Sequence, residues 1–169
     1  MTHFPTPEHE RLAREGLAMA RRHLPDTSPA VQKAMIALGK IQSDHGKYDA
    51  AIATLEEAVR LQAAVSTEPQ ERASSLYELA SAHFYAGHYD QSEPLNQQAL
   101  ALYKQVYGDR HPLVSDCLIN LGAIQYERGK YPEAERFYRE GIAITEAWFG
   151  RDHYQTAANL TMLARVLNR

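Results

Sequence analysis

Eight histidines, one cysteine and a short acidic run are the residues of this 169-residue chain that could do chemistry. Glu8-His9-Glu10 sets two carboxylates beside an imidazole, the residue types of a general acid–base pair. The run stands where a helical pattern begins, however. It reads as a helix start in a mobile terminal segment, with acidic side chains suited to the first turn. Cys117 lies near the start of another helical segment, where a thiolate could be stabilised. With no companion histidine placed beside it, it reads as a quiet, half-buried thiol. The histidines show no ligand spacing and form no Cys/His pattern of the zinc kind, so no metal is expected. His111 and His153 precede two helical segments at equivalent positions and read as caps. Nucleophile elbow, phosphate loop and kinase signature are all absent from the sequence, and the expectation is of no enzyme and no cofactor.

Composition narrows the partners. The formal net charge is −3 and no Lys/Arg block forms a basic face, which argues against a nucleic-acid ligand. Charge runs are short and mixed in sign, as in Glu133-Ala134-Glu135-Arg136, and suit a solvated helix face. A single thiol builds no disulfide framework. Met1-Thr2-His3-Phe4-Pro5 lacks the basic and apolar regions of a signal peptide. No apolar run approaches the ~18 residues of a membrane span. The expectation is a cytoplasmic protein without membrane contact, and a segment cut from a longer chain would have lost any targeting signal.

What would position these residues is a repeat. Gly46-Lys47-Tyr48-Asp49, Gly87-His88-Tyr89-Asp90 and Gly129-Lys130-Tyr131-Pro132 align, with tyrosines spaced 41 (89 − 48) and 42 (131 − 89). Seven residues before each glycine stands a small residue preceded by leucine: Leu38-Gly39, Leu79-Ala80 and Leu121-Gly122. Twelve residues after it stands another small residue, Ala58, Ala99 or Gly141. The phase extends to both ends. Arg14-Glu15-Gly16 matches Arg139-Glu140-Gly141, Leu163-Ala164 matches Leu121-Gly122, and Gly108-Asp109-Arg110-His111 matches Gly150-Arg151-Asp152-His153. Each unit reads as two helices. Met35, Leu38, Gly39 and Ile41 fall at helical spacing, and so do Ala51, Leu55, Ala58 and Leu61. Gly46 supplies the turn between them, since glycine tolerates positive φ. Recurring small residues let two helix backbones approach, which explains glycine where it costs ~1 kcal/mol of helix propensity.

Leu118-Ile119-Asn120-Leu121-Gly122, Gly129-Lys130-Tyr131-Pro132-Glu133-Ala134-Glu135, Tyr138 and Tyr107-Gly108-Asp109-Arg110-His111-Pro112 together resemble the tetratricopeptide repeat. The likeness covers about residues 12–169. It is to the 42-residue form found in kinesin light chains and in many bacterial multidomain proteins. The resemblance implies an all-α, right-handed superhelical solenoid of antiparallel helix hairpins with eight helices. These would form a single domain over 1–169: a leading helix at about 7–23, hairpins at about 30–64, 72–106 and 114–148, and a closing helix at about 155–168. It also implies a peptide-binding groove on the first helices, mapping here to Lys33, Ile36, Lys40 and Asp44; Ser74, Tyr77, Ser81, Phe84 and Tyr85; Ile119, Asn120, Ala123, Tyr126 and Glu127; and Thr161, Arg165 and Asn168. Asn120 matches an asparagine that kinesin light chains use to hold a peptide backbone, work for which a carboxamide both donates and accepts. Tyr77, Phe84, Tyr85 and Tyr126 would form an aromatic cluster there, and Phe84 and Tyr126 are equally suited to the core between repeats.

The sequence also departs from the family pattern. Gln42, His83 and Gln125 replace a usual aromatic, and Asn96 replaces another. Pro94 falls one turn inside its helix, where it should remove a hydrogen bond and bend the start. Glu93-Pro94-Leu95 is familiar in bacterial members of the class, and the host expected is a longer bacterial protein. The function expected is the binding of a protein or peptide segment. The alternative is a homodimer or scaffold built on Leu160, Leu163 and Val166, an apolar stripe that no later helix covers.

Overall fold

The structure is a computed structural model that describes residues 7–65 and 68–169; Met1–Pro5, read above for a targeting signal, lie outside them. Eight α-helices and no strand are found among the described residues. They are α1 (Pro7–His23), α2 (Pro29–Asp44), α3 (Tyr48–Ala63), α4 (Pro69–Tyr85), α5 (Tyr89–Tyr107), α6 (Pro112–Glu127), α7 (Tyr131–Phe149) and α8 (Tyr154–Leu167). None is long and apolar enough to cross a membrane. The chain divides into two compact units, Met1–Ser92 and Glu93–Arg169, with the division inside α5.

The helix ends follow from local sequence. Pro29, Pro69 and Pro112 open α2, α4 and α6, where a missing N–H costs nothing. The Nδ1 atoms of His111 and His153 accept hydrogen bonds from the backbone N–H groups of Leu113 and Gln155, each at 3.3 Å, and so cap α6 and α8 as expected. Gly46, Gly87 and Gly129 turn the chain between paired helices with φ of +71°, +80° and +73°. α5 continues through Pro94, which lies on an exposed side.

In the first unit α2 packs on α1 and α3, and α4 packs on α3 and α2. Its core holds Leu17, Val31, Met35, Leu38 and Ala58. A Cβ at Gly39 would stand 2.5 Å from Leu55 Cγ, so glycine sets the α2–α3 spacing. In the second unit α7 packs on α6 and α8. A Cβ at Gly122 would meet the Tyr138 ring at 2.7 Å, and one at Gly141 would meet Ile119 Cδ1 at 2.9 Å. The Ser115 hydroxyl donates to the Gly141 carbonyl at 2.8 Å across the same crossing. Gly16, aligned with Gly141 by sequence, has nothing within 4 Å of its would-be Cβ.

Two expectations are corrected. Leu163 and Val166 are not left uncovered: at 8% and 5% exposure they join Ala134, Tyr138 and Ile142 in the core of the second unit, and Leu160 packs against that core half-buried. The α7–α8 contact consumes the stripe, and with it the motive for a homodimer through that face. Nor is Glu10 part of a mobile end. It is 5% exposed, and its carboxylate meets Lys47 Nζ at 2.6 Å, Arg14 Nη2 at 2.7 Å and His45 Nδ1 at 3.4 Å. This ties α1 to the turn after α2. Bonds from Lys47 and Arg14 outweigh the cost of burial and hold its pKa down at about 2.

Candidate functional site

The first helices of the first unit, α2 and α4, bound a cleft of about 410 Å³. Lys33, Ile36, Lys40 and Ser74, all expected in a groove, line it together with Gln32, Ala37, Gln70, Glu71, Glu78 and Gln62 of α3. Two ion pairs bridge the helices: Lys33 Nζ lies 2.9 Å from Glu71 Oε1, and Lys40 Nζ lies 3.0 Å from Glu78 Oε1. The members of each pair are 38 residues apart (71 − 33 and 78 − 40), and the pairs are seven apart on both helices. Two helical turns therefore separate them on one face. At Lys40 burial opposes the charged form, but the charge and hydrogen bond of Glu78, with Asp44 and Tyr85 adding, win and raise the pKa. The cleft thus has an apolar strip of Ile36 and Ala37 between charges that already satisfy one another. Sequence reasoning missed Glu71, Glu78, Gln32, Ala37, Gln62 and Gln70; the repeated 38-residue Lys–Glu spacing was the available signal for the first two.

The remaining first-unit candidates gather at the far end of α4. Tyr85 is 62% exposed and stacks on Tyr48, with ring centroids 6.1 Å apart. Phe84 meets Tyr85 edge-on and leans on Tyr89, so it is partly spent on the hairpin turn. Tyr77 and Ser81 are half-buried on α4, and neither lines the cleft.

In the second unit the candidates fall on α6 and α8. Ile119 is half-buried because it fills the space Gly141 leaves, and Ala123 also packs against the core. Asn120 is half-buried, while Glu127, Thr161, Arg165 and Asn168 are exposed. Thr161 Oγ1 donates back to the Ala157 carbonyl at 3.0 Å, and Asn168 ends α8. Tyr126 gathers the most around it. Its ring meets Tyr131 edge-on, and the guanidinium carbons of Arg165 and Arg169 lie 5.0 and 5.6 Å from its centroid. Its hydroxyl accepts from Arg169 Nε at 3.0 Å and Nη2 at 2.9 Å, and that bonding lowers its pKa. Arg169 was not foreseen.

The departures from the repeat pattern find partners instead of rings. Gln42, His83 and Gln125 are all buried. The Gln42 amide and the Thr54 hydroxyl lie 2.9 Å apart, and Gln125 Nε2 donates to Glu93 Oε1 at 2.8 Å. His83 sits 4.0 Å from Glu56 and leans on His88; burial lowers its pKa and favours the neutral ring. Asn96 is fully buried and its Nδ2 donates to the Cys117 carbonyl at 2.7 Å. Cys117 is itself fully buried, and burial pushes its thiol well up, so it is inert as a nucleophile.

Comparison with known proteins gives one consistent answer. Tetratricopeptide repeat patterns match residues 71–147 and 36–95, together spanning 36–147, about two-thirds of the chain. Two fungal proteins named "Clustered mitochondria protein homolog" are similar over 71 residues. The one from Ajellomyces capsulatus is 31% identical and the one from Coccidioides immitis 30%. The match covers 42% of this chain and only 6% of either relative. Neither relative carries the bacterial origin expected from Glu93-Pro94-Leu95. Among solved structures, the kinesin-light-chain-type, nearly identical TPR-like repeats of Podosopora anserina superpose with a TM-score of 0.77 at 22% identity, covering 95% of this chain and 77% of that one. BtubC (BKLC) from P. vanneervenii gives 0.76 at 18%, covering 96% and 70%. Proteins of this repeat class are generally interaction modules rather than enzymes. The period, the paired helices, the small residues at their crossings and these matches agree: the chain is a tetratricopeptide repeat protein.

Proposed function

We propose that the chain is a binding module in which the first helices of a unit hold an extended segment of a partner protein. The observation that supports this most is the 410 Å³ cleft between α2 and α4, because Lys33, Ile36 and Lys40, assigned to a groove from sequence, line it together. Its make-up suits a peptide. An apolar strip takes a side chain, and flanking polar groups offer hydrogen bonds that fix orientation. Asn120 on α6 is the second-unit position that this reading gives to a ligand's main chain. We also place the module in a longer protein, a reading supported by its match to a small fraction of much longer relatives, and we assign it to the cytoplasm.

The test is a pull-down with the full chain. Ser74→Trp should fill the cleft and abolish capture of the recovered partner, while the helical circular dichroism and melting curve stay near wild type. Asn120→Ala should weaken capture about ten- to a hundredfold, the cost of one lost buried hydrogen-bond partner. Arg136→Ala, on an exposed side of α7, should do neither. Normal capture by both first-helix variants and none by Arg136→Ala would move the binding surface to the second helices.

A further inference from the structure

We propose that His83 makes the turn between α4 and α5 a proton-sensitive latch, closed while its imidazole is neutral and opened when the ring takes up a proton. Gln42, His83 and Gln125 stand at equivalent places, each five residues before the one that follows the turn glycine (47 − 42, 88 − 83 and 130 − 125). All three are buried. The backbone closes each turn in the same way: the N–H groups of Lys47, His88 and Lys130 donate to the carbonyls of Gln42, His83 and Gln125 at 2.9, 2.8 and 2.9 Å. Two of these niches therefore hold an amide, which gains no charge as the pH changes, beside a lysine in the turn. The third holds His83, with His88 at the lysine's place and the two ring centroids 5.7 Å apart.

The niche suits only the neutral ring. His83 is 7% exposed, and its Nδ1 is buried with no hydrogen-bond partner among the described residues. Protonation would put a charge and a new N–H donor where no acceptor waits, and burying an unpaired charge is costly. Two titratable groups act on the ring. Glu56 of α3 lies 4.0 Å from Nε2 and favours the charged form, but its side chain is 60% exposed and water screens it. Charge on His88 works in the opposite direction. Burial outweighs Glu56, so the folded pKa lies below the ordinary 6.5. The sign of the linkage follows. Above 6.5 the closed turn keeps its full stability; below it the opened chain takes up the proton more readily, and the closed turn loses stability as the pH falls.

Chain connectivity sets what opening releases. Phe84 and Tyr85 follow His83 directly and lean on Tyr89 and Tyr48. The Ser92 hydroxyl donates to the Ala80 carbonyl at 2.7 Å and ties α4 to the start of α5. An imidazole that leaves the niche for water carries the last turn of α4 with it and undoes both aromatic contacts. None of this needs a bound partner, so the latch stands apart from the groove assigned to α2 and α4.

The experiment compares wild type with His83→Gln, the residue that the repeat itself places at 42 and 125, over the histidine range of about pH 8 to 5. That range lies above the one in which Glu10 takes up its proton. Nuclear magnetic resonance titration of the full chain should give the His83 ring a midpoint below 6.5. Hydrogen exchange of the amides of residues 82–92, corrected for the intrinsic effect of pH, should accelerate in wild type by up to about tenfold per pH unit below 6.5, the slope of one proton. In His83→Gln the same amides should show no such acceleration, and those of α6 and α7 should behave alike in both proteins. A His83 midpoint at or above 6.5, or equal acceleration at residues 82–92 in both proteins, would overturn the latch. Should His83→Gln loosen the fold at every pH, the two wild-type measurements decide alone: a low midpoint with acceleration at residues 82–92 supports the latch, and a low midpoint with unchanged exchange there overturns it.

Discussion

Corresponding positions in the two units do different chemistry on the same frame. Residues on α2 map to α6 at +83 (122 − 39), and those on α4 map to α8 at +84 (164 − 80). Lys33 and Glu71 correspond to Asp116 and Gln155, and both couples bridge their helices, at 2.9 and 3.0 Å. Here the bridge survives a complete exchange of residue types. One step along, Lys40 and Glu78 form an ion pair, whereas their counterparts Ala123 and Met162 are apolar. At the helix ends Tyr85 stacks on Tyr48, while Arg169, the counterpart of Tyr85, binds Tyr126 beside Tyr131, the counterpart of Tyr48. Backbone spacing is repeated because small residues enforce it. Surface chemistry is free to diverge because it carries little of the packing. In the first unit Lys33 and Lys40 are matched by Glu71 and Glu78, whereas in the second Arg165 and Arg169 lean on the Tyr126 ring.

The comparison breaks most severely at the helix crossings. Gly122→Leu should destabilise by ~3 kcal/mol, the upper end of ordinary overpacking, because its Cβ meets a ring that cannot fold away. Gly39→Leu should cost less, since Leu55 can change rotamer. Thermal melts of both variants measure the difference, and equal melting temperatures would show that the two crossings are equally tolerant.

Acid should separate the units next. Glu10 has a folded pKa of about 2, below the ordinary 4.5, so its contribution is fully present above pH 4.5 and is lost as pH falls from there toward 2. Hydrogen exchange along that range should show α1 amides losing protection before those of α6 and α7. Glu10→Gln should weaken α1 at neutral pH and remove that acid dependence.

The smallest effect sharpens the repeat alignment itself. Gly16 and Gly141 occupy matching positions, but only Gly141 is crowded. Gly16→Ala should stabilise by ~0.5–1 kcal/mol through helix propensity, and Gly141→Ala should instead lower the melting temperature as Ile119 is displaced. A loss of stability in both would mean that Gly16 is packed after all.

Much of the fold was legible in the sequence because it is written locally. Gly46, Gly87 and Gly129 mark turns by backbone conformation, and Gly39, Gly122 and Gly141 mark crossings by size. His111 and His153 mark helix starts by a donor two residues on. None of these needs a distant partner to be recognised. Glu71, Glu78 and Arg169 were missed because their roles depend on which side chains of another helix come within reach. Glu10 was misread because its partners Lys47 and His45 lie 37 and 35 residues on. Leu163 and Val166 were taken as uncovered because periodicity shows that a face is apolar and not which neighbour it meets. Asn96 and Gln125 looked like flaws in the pattern until the Cys117 carbonyl and Glu93 were seen beside them.

The chain contains one tryptophan, and its position gives the protein an intrinsic optical probe. Trp148 is 56% exposed on α7, with its indole edge-on to the His111 imidazole at 5.3 Å, and His111 is in turn stacked on Tyr107 at 4.1 Å. Indole emission depends on what lies against the ring, so its brightness and wavelength report whether the turn before α6 is seated. Local opening there should raise and red-shift the signal without any added dye. Events confined to Met1–Ser92 should leave that emission unchanged, and unfolding of either half can be followed in a single cuvette by pairing it with far-ultraviolet ellipticity.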